Sequence, residues 1–119
     1  MIEAINGLIE EHVSVINMSL AGPDNAILKA VINAALEQGV FIIAAAGNAG
    51  PAAAAVFPAG YQDVLAVSAI DQNQQPYRWS NQVSHIDYAA LGVNVFTAHS
   101  QDRTGRESGT SMPAPVLPP

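Results

Sequence analysis

The apolar positions of this chain switch period along its length, and each switch predicts an element. In "IEAINGLIEEH" the apolar residues Ile2, Ile5, Leu8 and Ile9 recur at helical spacing. "VSVINMSL" is rich in β-branched residues and reads as a buried strand, which "AGPD" ends. From about Pro23 to Gln38 the helical period returns. Ile27, Val31 and Ala35 form one i,i+4 row, and Leu28, Ile32 and Leu36 form the next. Asp24 or Asn25 can cap the start, and Gly39 stands where a left-handed residue closes a helix. "VFIIAAA" then gives a second buried strand. Strand, helix and strand at this spacing predict a right-handed, parallel βαβ unit.

Beyond the long connection "GNAGPAAAAVFPAG", the run "DVLAVSAI" predicts a third buried strand. The later apolar runs are short. "YRWS", "IDYAAL" and "VNVFTA" are expected to be strands between polar turns. The pattern is α/β, with a mainly parallel sheet and a β-rich C-terminal half. No repeat or linker divides the chain, so residues 1–119 are read as one unit, part of a larger domain as argued below.

Composition narrows the chemistry. Half of the 119 residues are hydrophobic and 12% are charged, which argues against disorder. The net charge is −6, and Lys29, Arg78, Arg103 and Arg106 are the only basic residues besides histidine. Such a chain cannot neutralise a row of phosphates, so no nucleic-acid partner is expected. There is no cysteine, which removes disulfides, thiolate metal sites and a thiol nucleophile. No apolar run approaches the roughly 18 residues of a membrane span, so no membrane partner is expected. The N-terminus has no basic, apolar signal-peptide pattern.

Ligands of open α/β sheets gather beyond the carboxyl ends of the strands. Three segments are expected there: "SLAGP" after the first strand, "AGNAG" after the second, and the turn with the Gly-flanked serine of "ESGTSMPAP". Each alone is compatible with a simple turn. Together, "VINMSLAGP", "AAAGNAGP", "VFPAG", "VLAVSAID", "YRWSN" and "ESGTSMPAP" resemble the subtilisin-like serine peptidases in order and spacing. The resemblance runs from about Ile5 to Pro115. It implies a subtilisin-like three-layer fold, of which this chain is the C-terminal part.

The resemblance also implies roles. Ser111 corresponds to the nucleophile, expected where a helix begins. Asn48 corresponds to the side-chain donor of the oxyanion hole, joined by the Ser111 backbone N–H. Ser19, Leu20, Ala21 and Gly22 would pair with substrate backbone and wall the first specificity pocket. Ala45, Ala46 and Gly47 would form its other wall and leave room for a large apolar residue. Phe57-Pro58 matches a position that is cis in the family. The implied partner is a peptide or protein substrate, and the implied setting is secreted or periplasmic.

The general base is missing from this pattern. A serine hydroxyl needs a base, and the base needs an orienting group. The family carries its Asp and His upstream of "VINMSL", and "DTG"-like and "HGT"-like motifs are absent here. His12 is expected at the wrong end of the first strand; His85 and His99 read as surface residues. Asp24, Asp63, Asp71, Asp87 and Asp102 read as caps and turns. Pro113 and Pro115 are tolerable in the first turn of the helix expected at Ser111, but Pro118 would clash with the carbonyl four residues back and cut that helix short. A truncated or decayed catalytic domain, inert alone and at most binding peptide or self-associating through an exposed sheet edge, is therefore the second reading. A nucleotide-binding domain is the third and weakest, because "AGNAGPA" lacks both GxGxxG and a P-loop lysine. No metal constellation is evident. Calcium is possible by resemblance, with no site assigned.

Overall fold

A computed structural model describes residues 1–82, 86–113 and 115. Helix α1 (Ile2–Glu10) leads into β1 (Val15–Met18), followed by α2 (Ala26–Glu37), β2 (Phe41–Ala45) and β3 (Leu65–Ile70). Three shorter strands complete the order: β4 (Tyr88–Leu91), β5 (Val95–His99) and β6 (Arg103–Glu107). Strands β1 to β4 form one parallel sheet in sequence order, while β5 and β6 pair as an antiparallel hairpin.

The βαβ unit forms as its pattern predicts. Asn25, in extended conformation, caps α2 by accepting from the N–H groups of Ile27 and Leu28 at 2.9 and 3.1 Å. Gly39, with φ at +82°, ends the helix so closely that Val40 is already buried and β2 begins at Phe41. The buried stripe of α2 is Leu28, Ile32 and Ala35, and Ile27 stays 63% exposed. That stripe packs with Ile5 of α1 onto Ile16, Met18, Ile42, Ala44 and Ala66 of the sheet. Alternate strand residues, Ile43 and Val67, form a smaller cluster with Val15 and Leu65. Successive strand side chains point to opposite faces, so this second cluster marks the other side of the sheet. Among the described residues, both helices belong to the first side.

Two of the short runs behave as expected. "IDYAAL" supplies β4 and "VNVFTA" supplies β5. "YRWS" is instead a turn: Tyr77 donates to the Ala69 carbonyl, and Ser80 donates back to Tyr77. Its aromatic residues favour strands only where a partner strand is available. Strand β6 had no apolar pattern to announce it, because Arg103–Glu107 is polar and mostly exposed. Left-handed Gln101 and Asp102 turn the chain between β5 and β6. The Phe57-Pro58 bond is cis.

Candidate active site

Because the sheet is parallel, the carboxyl ends of β1 and β2 open onto the same edge. Ser19 follows β1, and Ala46, Gly47 and Asn48 follow β2. The turn carrying Ser111 joins both. Ser111 Oγ donates to the Ser19 carbonyl at 3.0 Å, and Ser19 Oγ donates to the Ser111 carbonyl at 3.1 Å. Asn17 Nδ2 donates to Ser19 Oγ at 3.1 Å. This clasp links residues 92 positions apart.

The second junction runs through Thr110, which is fully buried. Its Oγ1 accepts from the Gly47 N–H at 3.0 Å, and its own N–H donates to Asn48 Oδ1 at 2.9 Å. The Asn48 carboxamide is thereby fixed beside the serine, with its oxygen engaged and its Nδ2 donor facing away from that bond. Among the described residues, neither Asn48 Nδ2 nor the Ser111 backbone N–H has a hydrogen-bond partner. Gly109 lies close enough that a Cβ there would meet Asn48 Nδ2 at 3.1 Å, at a φ of +155°. Serine and asparagine therefore meet at one edge of the sheet.

Where a helix is expected to begin at Ser111, the described residues are a turn at 110–113 and a 3₁₀ residue at 115. Residues 110–113 make a turn in which Met112 donates to the Gly109 carbonyl at 3.2 Å. Pro113, which has no N–H, is buried at its end. Support for the serine comes from Ser19 and from the Gly109-to-Gly92 backbone bond of 2.8 Å. The last residues, 116–119, lie outside the described part, as does His85.

Leu20, Ala21 and Gly22 line a cavity of about 500 Å³ together with Pro23, Leu28 and Phe57. Ala45, Ala46 and Gly47 do not line it; they are buried, and the Ala46 N–H donates to the Val67 carbonyl at 2.9 Å. Gly22 exchanges both backbone bonds with Phe57, at 2.9 Å each. The exposed backbone left in this stretch is that of Leu20 and Ala21. Tyr61 anchors the chain just beyond: its hydroxyl donates to Asp24 Oδ1 at 2.8 Å and accepts from the Asn25 N–H at 3.2 Å. Burial pushes the Tyr61 phenol above its ordinary pKa, and Asp24 adds to the rise.

Several other titratable groups have local partners. His12 lies in the turn before β1, and His99 Nε2 faces Glu107 Oε1 at 3.2 Å on the hairpin. Asp71 Oδ1 accepts from Asn73 and Gln75, and Asp87 Oδ2 accepts from Ala66, all at 2.9 Å. Among the described residues no three His, Asp or Glu side chains converge as metal ligands. No helix among them is long and apolar enough to cross a membrane. The Gly-rich turn cannot cradle phosphate. Its Gly47, Ala49 and Gly50 N–H groups are taken by Thr110 Oγ1, Asn81 Oδ1 and the Trp79 carbonyl.

Residues 1–117 match the Subtilase family. The chain belongs to that family. The major intracellular serine protease of Bacillus subtilis (strain 168) is 35% identical over 120 residues, covering 97% of this chain and 38% of the relative. The minor extracellular protease Epr of the same organism is 33% identical over 116 residues, covering 97% of this chain and 18% of that relative. A solved structure, the PatG macrocyclase in complex with peptide, superposes with a TM-score of 0.86 at 27% identity. It is matched over 97% of this chain and 36% of its own. The subtilase segment described here thus spans well under half of each of these proteins.

Proposed function

We propose that this chain supplies the nucleophile and oxyanion half of a subtilisin-type serine endopeptidase. The observation carrying this reading is the 2.9 Å bond from the Thr110 N–H to Asn48 Oδ1, which sets the carboxamide beside Ser111. In the reaction, Ser111 Oγ leaves the Ser19 carbonyl and attacks the peptide carbonyl carbon. Its proton passes to a general base, which the described residues of this chain do not contain. Asn48 Nδ2 and the Ser111 N–H donate to the oxygen that becomes negative. Collapse of the tetrahedral species expels the amine, protonated by the same base, and leaves an acyl ester on Ser111. Water then hydrolyses that ester. The substrate is a peptide, whose backbone would lie along Leu20 and Ala21 with an apolar side chain nearby. The peptide held by the PatG macrocyclase supports that substrate class.

A fluorophosphonate probe tests the assignment when this chain is joined to an upstream segment carrying the family's Asp and His. Mass spectrometry is expected to find the label on Ser111, with Ser111→Ala abolishing it. Labelling elsewhere would remove the nucleophile assignment.

One observation favours a second reading for the 119 residues alone. The Ser111 hydroxyl bonds to a backbone carbonyl and not to a base, so the isolated chain would bind peptide without cleaving it. Sustained hydrolysis by the purified chain, lost in Ser111→Ala, would exclude this. The outer edge of β1 has no neighbouring strand among the described residues. Self-association there would show as a dimer in sedimentation. Secretion or periplasmic residence follows from the resemblance. Its relatives include proteins named intracellular and extracellular, so fractionation of the producing cell decides it.

A further inference from the structure

Asn48 is exposed, yet the backbone on both sides of it is held from beneath by one residue of a distant loop. That residue is Asn81, whose side chain is completely buried. Its backbone N–H donates to the Gly47 carbonyl at 3.0 Å. Its Oδ1 accepts from the Ala49 N–H at 2.9 Å, and its Nδ2 reaches the Ala54 carbonyl at 3.4 Å. The neighbouring Trp79 carbonyl accepts from the Gly50 N–H at 2.9 Å. Contact is so close that a Cβ on Gly47 would meet Asn81 Nδ2 at 2.7 Å and Val56 Cγ2 at 2.9 Å. Gly47 is glycine for this reason as much as for its φ of +104°.

We infer that Asn81 is a positioning residue for the Asn48 carboxamide, an inference that rests on the oxyanion role proposed above. The Asn48 side chain is constrained at its tip by Thr110 and at its root by Asn81. With the tip alone held, the flanking peptides could rotate and carry Nδ2 out of register with the Ser111 N–H. A buried asparagine suits the task because one planar group offers an acceptor to Ala49 and a donor to Ala54. Its three bonds all fall on residues 47–54, not on β3 or β4. A side chain serving only core packing would have no need of that pattern.

The test uses the 119-residue chain and nuclear magnetic resonance. The Asn48 side-chain NH2 pair is assigned by its loss in Asn48→Ala. In Asn81→Ala, that pair is expected to move toward the position of a free side-chain amide. The Ala49 amide should exchange at least about tenfold faster, while the Ile43 and Val67 amides keep their protection. An unmoved Asn48 pair in Asn81→Ala would overturn the proposal. Should that variant lose sheet protection as well, Asn81→Ser decides, since its hydroxyl falls an atom short of Ala49. The same displacement is expected there, and a wild-type Asn48 pair would again overturn it. None of these readouts depends on Ser111 reactivity, so failure of the peptidase reading and failure of this one are separable.

Discussion

The βαβ scaffold and the serine edge are held together by different forces. In the scaffold, α2 lays Leu28, Ile32 and Ala35 on β1 and β2, and consecutive elements are close in sequence. Its stability derives from apolar burial, which tolerates small shifts in position. At the serine edge the contacts are single hydrogen bonds between groups 62, 63 and 92 residues apart, each fixing one atom against another. The scaffold supplies free energy; the edge spends little of it and sets geometry. Damage to the first should appear in stability, and damage to the second in chemistry.

Ile32→Ala breaks the scaffold side most severely. Ile32 is fully buried on the sheet-facing side of α2, and its truncation should destabilise the chain by about 2–5 kcal/mol in urea unfolding. At low denaturant the Thr110–Asn48 and Ser19–Ser111 bonds should persist. Thr110→Val targets the edge with almost no change in volume. It leaves the Gly47 N–H buried without its acceptor, at a cost of about 1–3 kcal/mol by the same measurement. Its larger effect should be on Ser111 labelling in a complete enzyme. Labelling unchanged beyond what stability explains would erase the distinction between the two regions.

Tyr61→Phe is expected to be mildest, about 0.5–1.5 kcal/mol at neutral pH, because it removes the bonds to Asp24 and Asn25. It also carries a pH signature. The native state binds the Tyr61 proton more tightly than the unfolded chain does, since its folded pKa is raised. That stabilisation is complete below the unfolded value of about 10 and is lost as pH climbs through the raised folded value. Melting temperature should therefore fall above about pH 10, and less steeply in Tyr61→Phe.

The scaffold was legible because burial writes itself into period. The two apolar rows of α2 and the runs at β2 and β3 mark the elements, while burial takes Leu28, Ile32 and Ala35 from both rows and leaves Ile27 exposed. The hairpin was half legible: β5 carries Val95 and Phe96, whereas β6 is a strand only through its pairing and has no buried face of its own. Ser111 and Asn48 were legible through resemblance, since nothing in their spacing says that they meet. The turn at "YRWS" and the role of Asn81 were not. An asparagine in a polar loop resembles every other turn asparagine until the chain folds its carboxamide under another segment.

The engaged oxygen of Asn48 also makes the two ends of its carboxamide non-equivalent. Hydrolytic loss of ammonia, the commonest chemical ageing of asparagine, would exchange the free nitrogen for oxygen and leave the brace to Thr110 intact. A chain altered in this way would keep that brace and melt almost as before. It would present a negative oxygen where a donor had stood, so purified stock could lose function with time while every test of its fold still passed.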